Sequence, residues 1–120
     1  MKYSLTGTNV RLTPQIRKYV EEKIATLDKF VKSFVQEVTA AIEVGKETAH
    51  HRTGKIWRAE VTMKLPKKPV RAVAVEKNIF SAITKVKDKL QVELKRYKEE
   101  YLTKKRRGLL RLKDYFRRNG

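Results

Sequence analysis

Lys85, Lys89, Val92 and Arg96 follow one another at steps of four, three and four residues. On a helix these steps put all four side chains along one flank, and three of the four are cations. A row of cations at that pitch neutralises closely spaced phosphates. Lys87, Lys95, Lys98 and Lys105, with Gln91 between them, fall on the opposite flank and back of the same stretch. An earlier helical stretch repeats the pattern: Lys18, Lys29 and Lys32 share a solvent side, with Arg17 and Lys23 beside the apolar stripe. Residues suited to bond-making chemistry are sparse. His50 and His51 are adjacent in a loop, where neighbouring side chains rarely point at one metal ion, and Glu21–Glu22 and Glu99–Glu100 lie among lysines that balance them. No glycine-rich phosphate cradle and no acidic cluster at metal-binding spacing is present, so the chain reads as a non-enzyme with no cofactor, metal or small-molecule substrate.

Composition agrees with an anionic partner. In 120 residues, 30 Lys and Arg against 13 Asp and Glu give a formal net charge of +17. Eleven of the basic residues and three of the acidic ones lie after Leu94, so nearly half the excess charge sits in the last 26 residues. With 40% apolar residues there is still material for one core, and the length suits one domain. Cysteine is absent, which excludes disulfides and thiolate chemistry. No run of about 18 apolar residues is present, and MKYSLTGTN lacks the apolar region of a signal peptide, so a cytoplasmic protein without membrane contacts is expected.

The elements that must position the cations follow from hydrophobic period. Lys2 to Gly7 alternate as a short strand with Tyr3 and Leu5 on one side, ended by the turn residues Gly7, Thr8 and Asn9. Thr13 and Pro14 open a helix whose stripe, Ile16, Val20, Ile24, Leu27 and Val31, predicts an end near Lys32. The period then changes to two. Val38, Ala40, Ile42 and Val44 share one face of a second strand, and Trp57, Ala59, Val61, Met63 and Leu65 one face of a third. The GKETAHHRTG segment between them reads as a hairpin loop. VRAVAVE is a fourth strand, apolar at too many positions for alternation alone to assign its inner face. Asn78 caps a second long helix with Ile79, Ile83, Val86, Leu90, Leu94, Tyr97 and Tyr101 on its buried stripe. The fold class is α+β: a β-α-β-β-β-α two-layer sandwich, with two helices packed on one face of a four-stranded sheet and the other face open. Residues 1–101 form the domain and 102–120 a basic tail, interrupted at Gly108, whose composition suits an arm that orders on an anion.

Recognised DNA-binding motifs are missing. Trp57, the one aromatic residue on strands two to four, is expected to point inward, so the sheet offers no base-stacking platform. Binding through helix flanks and tail would recognise the shape of structured RNA.

The segments TGTNVRLTPQIRKYVEEKIATLDKF, AEVTMKLP, VRAVAVE and NIFSAITKVKDKLQVELKRYK resemble, in order, the ribosome hibernation-promoting factor and ribosome-associated inhibitor family. The motifs that carry the likeness are T-G-x-N, L-T-P-x-I-R-x-Y-V, and A-I followed by D-K-L and a basic Y-K end. The resemblance implies the same β-α-β-β-β-α fold, with Ala72 and Ala74 facing the helices. It implies a translation inhibitor that binds the small ribosomal subunit in the messenger and transfer RNA channel and silences or protects idle ribosomes. The family's basic positions match at Arg17, Lys23, Lys29, Arg71, Lys89, Arg96 and Lys98, each a cation toward ribosomal RNA phosphates. Val92 stands where the family commonly has Arg, and Asn78-Ile79-Phe80 where it has Asp-Met-Tyr, which removes a tyrosine hydroxyl. Lys85 and Lys87 occupy positions usually apolar in the family and restore charge.

The length resembles the family's short type, expected as a monomer in isolation. The resemblance does not extend to the tail, where Lys104, Lys105, Arg106 and Arg107 are expected to follow RNA. Two other functions fit the composition. One is a general binder of structured RNA or double-stranded nucleic acid, the other a protein-interaction module that uses Arg58, Glu60 and Thr62 on the open sheet face.

Overall fold

The Thr13 side chain accepts a hydrogen bond from the Ile16 amide at 3.2 Å, and Pro14 takes the first helical position, where its missing N–H costs nothing. The computed structural model describes residues 1–32, 34, 37–47 and 56–119. Along these the elements run β1 (Lys2–Thr8), α1 (Pro14–Ala25), α2 (Asp28–Val31), β2 (Thr39–Lys46), β3 (Trp57–Lys64), β4 (Pro69–Glu76) and α3 (Ile79–Asn119). This is the expected order with one division. The helix predicted to reach Lys32 stops at Ala25, because the Thr26 hydroxyl donates to the Lys23 carbonyl at 2.6 Å and the Leu27 amide bonds only three residues back, to Ile24. The chain re-aims there and adds the single turn of α2, which keeps Leu27 and Val31 buried.

The strands lie in chain order, β1 parallel to β2 and the rest antiparallel. Ile42 aligns with Leu5 on one side and Val61 on the other, and Val61 with Ala72. Ala40, Ile42, Val44, Ala59, Val61, Met63, Val70, Ala72 and Ala74 are all buried, so β4 turns its alanines toward the helices as the family resemblance implies. Small side chains there let α3 cross β4 and β3 closely and reach β2. Gly45 is required by a close approach: a Cβ at that position would lie 2.3 Å from the Thr8 carbonyl oxygen on β1. The loop carrying His50, His51 and Gly54 falls outside the described residues.

Asn78 caps α3, accepting from the Ser81 amide at 2.8 Å. Ile79, Ile83, Val86, Leu90, Leu94 and Tyr97 are buried along it and Tyr101 half-buried; from Leu102 to Arg118 every residue is exposed. The expected interruption at Gly108 does not occur. One glycine costs a helix only about 1 kcal/mol, and the Leu, Lys and Arg around it are strong helix formers. The 41 residues of α3 span about 62 Å, which accounts for the 66 Å length of the molecule. No helix among the described residues is long and apolar enough to cross a membrane.

Candidate nucleic-acid interface

Lys85, Lys89, Val92 and Arg96 do line one flank of α3, the one beside the outer edge of β4. There the Lys89 ammonium donates to the Val73 carbonyl at 2.9 Å, which fixes its position and leaves two of its three N–H groups for another acceptor. Arg96 is exposed and pairs with Glu93 at 3.4 Å. Glu93 is the acid that the sequence reading overlooks in this flank; its i−3 spacing from Arg96 is the signal. Lys87 does not restore the charge missing at Val92. It points away from this flank, its side chain is only 16% exposed, and its ammonium pairs with Asp88 at 2.6 Å. Lys85 alone adds charge next to Val92.

The opposite flank meets α1 and α2. The Tyr19 hydroxyl and Thr84 Oγ1 share a hydrogen bond of 2.5 Å, and the Phe80 ring meets Tyr19 edge-on at 5.0 Å. A hydroxyl on α1 thus ties the helices together beside Phe80. Lys23 lies over the Tyr19 ring at 5.2 Å, while Lys29 and Lys95 approach the Phe30 ring at 5.1 and 5.8 Å. These cation–π contacts hold three ammonium groups along one seam with their charge still open to solvent. Lys98 is half-buried on the same side of α3. Arg17 is not brought there: two residues from Tyr19, it sits about 160° around α1.

Arg71 reaches the same β4-edge groove as Lys89, Val92 and Glu93, but from the sheet. It lies on the open sheet face, bonded to Glu60 at 2.5 Å, and Arg58 bridges Glu60 at 2.8 Å and Glu47 at 3.4 Å. The hydrogen bond from Arg71 holds the Glu60 carboxyl below its ordinary range, helped by Arg58 and opposed by desolvation; the same bond raises Arg71. Charges on this face, including the expected partner residues Arg58 and Glu60, are therefore largely paired within the sheet.

The tail cations also separate. Lys104 and Arg107 join Arg96 around one shallow groove and prolong the β4-side row. Lys105 lies over the Tyr101 ring at 5.1 Å, and Arg106 is rotated a further 100° or so around the helix. Among the described residues no three His, Cys, Asp or Glu side chains could hold a metal ion.

The fold beneath these cations, two helices and a third short turn over a four-stranded sheet with one parallel edge strand, matches a known scaffold. The family model described as Sigma 54 modulation protein / S30EA ribosomal protein covers residues 3–101. The chain belongs to this family. The match stops at Tyr101, the last residue of α3 that touches the core. The ribosome hibernation promotion factor of Lactococcus lactis is 34% identical over 111 residues, covering 91% of this chain and 56% of that protein. The protein of the same name from Deinococcus radiodurans is 28% identical over 106 residues, covering 88% and 53%. The chain thus spans about half the length of these relatives. Among solved structures, the N-terminal domain of Thermus thermophilus Protein Y has a TM-score of 0.64 at 32% identity, covering 80% of this chain and 94% of that one. A ribosomal subunit interface protein from Coxiella burnetii has the same TM-score at 20% identity, covering 82% and 99%, and supports the fold alone.

Proposed function

We propose that this family member binds the small ribosomal subunit in the channel of messenger and transfer RNA, silencing and protecting idle ribosomes without catalysing a reaction. The observation that carries this reading is the pair of cation rows along α3, on a scaffold whose relatives are named for ribosome hibernation. In it, residues 1–101 are the ribosome-binding domain. Lys85, Lys89 and Arg96 meet phosphates on the β4 side, and Lys23, Lys29 and Lys98 on the α1 side. Arg17 reaches RNA from the outer side of α1, and Arg71 does so by exchanging Glu60 for a phosphate. Lys104 and Arg107 prolong the first row, with Lys105 and Arg106 contributing charge at other angles.

Sedimentation of a stationary-phase lysate, with the protein followed across the gradient, tests this. It should travel with the small subunit or whole ribosomes and stay there in excess bulk RNA. Its absence from every ribosomal fraction would overturn the reading. Loss to bulk RNA would favour a general structured-RNA binder, which the charge on both sides of α3 also permits.

A further inference from the structure

The continuous helix through Gly108 sorts the extension beyond Tyr101 into faces that the sequence, read as broken there, does not show. At about 100° per residue, Tyr115, Leu112, Phe116, Leu109 and Leu102 fill one sector of roughly 140°. All five are exposed, Phe116 by 66% and Leu109 by 60%. The one cation inside this sector, Lys105, bends back over the Tyr101 ring. Beyond the Leu102 edge follow Lys113, Arg106 and Arg117; beyond the Tyr115 edge follow Lys104, Arg111, Arg118 and Arg107. Asp114, the only acid after Leu102, stands almost opposite the centre of the apolar sector, where it pairs with Arg118 at 3.3 Å.

An apolar face with cations along both edges and its single acid farthest away matches a plane that is oily inside and negative at its rim. We propose that residues 102–119 lie on an anionic phospholipid surface, with the apolar sector at the acyl boundary and the edge cations reaching the headgroups. Charge complementarity selects this occupant. Two extensions packed through their apolar sectors would bring both sets of edge cations together with no acid between them. An RNA duplex could take the cations of one edge but would leave Leu109, Leu112 and Phe116 in water. The inference stands on the helix alone and holds whether or not the domain binds ribosomes; it gives Lys104, Arg106 and Arg107 to lipid headgroups in place of RNA and departs from the expectation of no membrane contact.

The test uses the full chain and vesicles of equal parts phosphatidylglycerol and phosphatidylcholine, with phosphatidylcholine vesicles as reference, in a co-sedimentation assay at physiological salt. The protein should pellet with the anionic vesicles and not with the neutral ones. Leu112→Asn combined with Phe116→Asn should weaken this binding about tenfold or more, by losing apolar burial. Leu110→Asn is the internal control, since Leu110 is as exposed but lies about 150° from the sector centre, and it should leave binding unchanged. Failure to pellet with anionic vesicles would overturn the proposal, as would equal losses in both variants. Undiminished vesicle binding by the double variant would reduce the effect to adsorption of net charge and overturn it too. If the double variant instead lost ribosome binding or self-association while vesicle binding persisted, the sector would belong to RNA, ribosomal protein or a second copy.

Discussion

Replacing Lys89 and Arg96 together by glutamine separates contact with phosphate from mere surface charge. Lys89 is held by the Val73 carbonyl and has two N–H groups to spare; the Arg96 side chain is 64% exposed and pairs with Glu93 at 3.4 Å. If each neutralises one phosphate, the double variant loses two released counterions. The slope of log affinity against log salt should then become shallower by about 1.4 to 1.8. Over a fourfold rise in salt, a difference of that size narrows the ratio of wild-type to variant affinity roughly tenfold. The assay is pelleting of purified small subunits with a titration of protein across a salt series. Lys18→Gln combined with Lys32→Gln, both exposed and away from this flank, removes the same two charges and should move the slope much less. Glu93→Gln frees Arg96 and should tighten binding at low salt. Parallel salt lines for wild type and the double variant would refute the phosphate contacts even if affinity fell, because a drop without a slope change is not counterion release. Since Lys89 also ties α3 to the edge of β4, thermal unfolding of each variant must accompany the titration.

Three further outcomes are expected. Gly45→Ala forces a Cβ against the Thr8 carbonyl and should lower stability by about 1–3 kcal/mol in urea titration, with the slope of the unfolding free energy unchanged. Tyr97 donates its hydroxyl to the Pro66 carbonyl, and burial, then the neighbouring Tyr101, raises its pKa above the usual 10.0. Its contribution is therefore complete below pH 10.0 and lost as pH rises through the raised value, so Tyr97→Phe should cost about 1 kcal/mol at neutral pH and flatten alkaline unfolding. Glu60 is lowered from 4.5, so its pairing stabilises above that pH and fades as pH falls through the lowered value; Glu60→Gln should flatten acid unfolding, followed by circular dichroism.

Most of the sheet was legible because its two inner strands alternate cleanly: Ala40, Ile42 and Val44, then Ala59, Val61 and Met63, have polar or small neighbours between them. β4 was not, since Val73 and Val75 make its outer face as apolar as its inner one, and only the family resemblance orients Ala72 and Ala74. The break after Ala25 depends on one threonine hydroxyl turning back on the helix, a choice that periodicity does not register. Gly108 misleads in the other direction, being read as punctuation although its cost is small against the helix formers beside it. For the interface, spacing located the flank of Lys85, Lys89 and Arg96 and missed what opposes it. Spacing put Arg17 and Lys23 on the two edges of the α1 stripe, but which edge meets α3 depends on Tyr19 and Lys23 turning to that seam, which spacing alone does not tell.

The half of α3 that packs on the sheet also changes the thermodynamics of the half that does not. A free peptide of the extension's length would first have to form an unfavourable helical nucleus, with an equilibrium penalty of about a thousandfold, close to 4 kcal/mol. Here the turns up to Tyr101 already exist, so residues beyond it need only propagate. The extension should therefore fray from its far end, with amide exchange fastest near Asn119 and slowing progressively toward Tyr101. Its order is inherited from the domain, and a partner meets a surface already formed, with little conformational entropy left to lose.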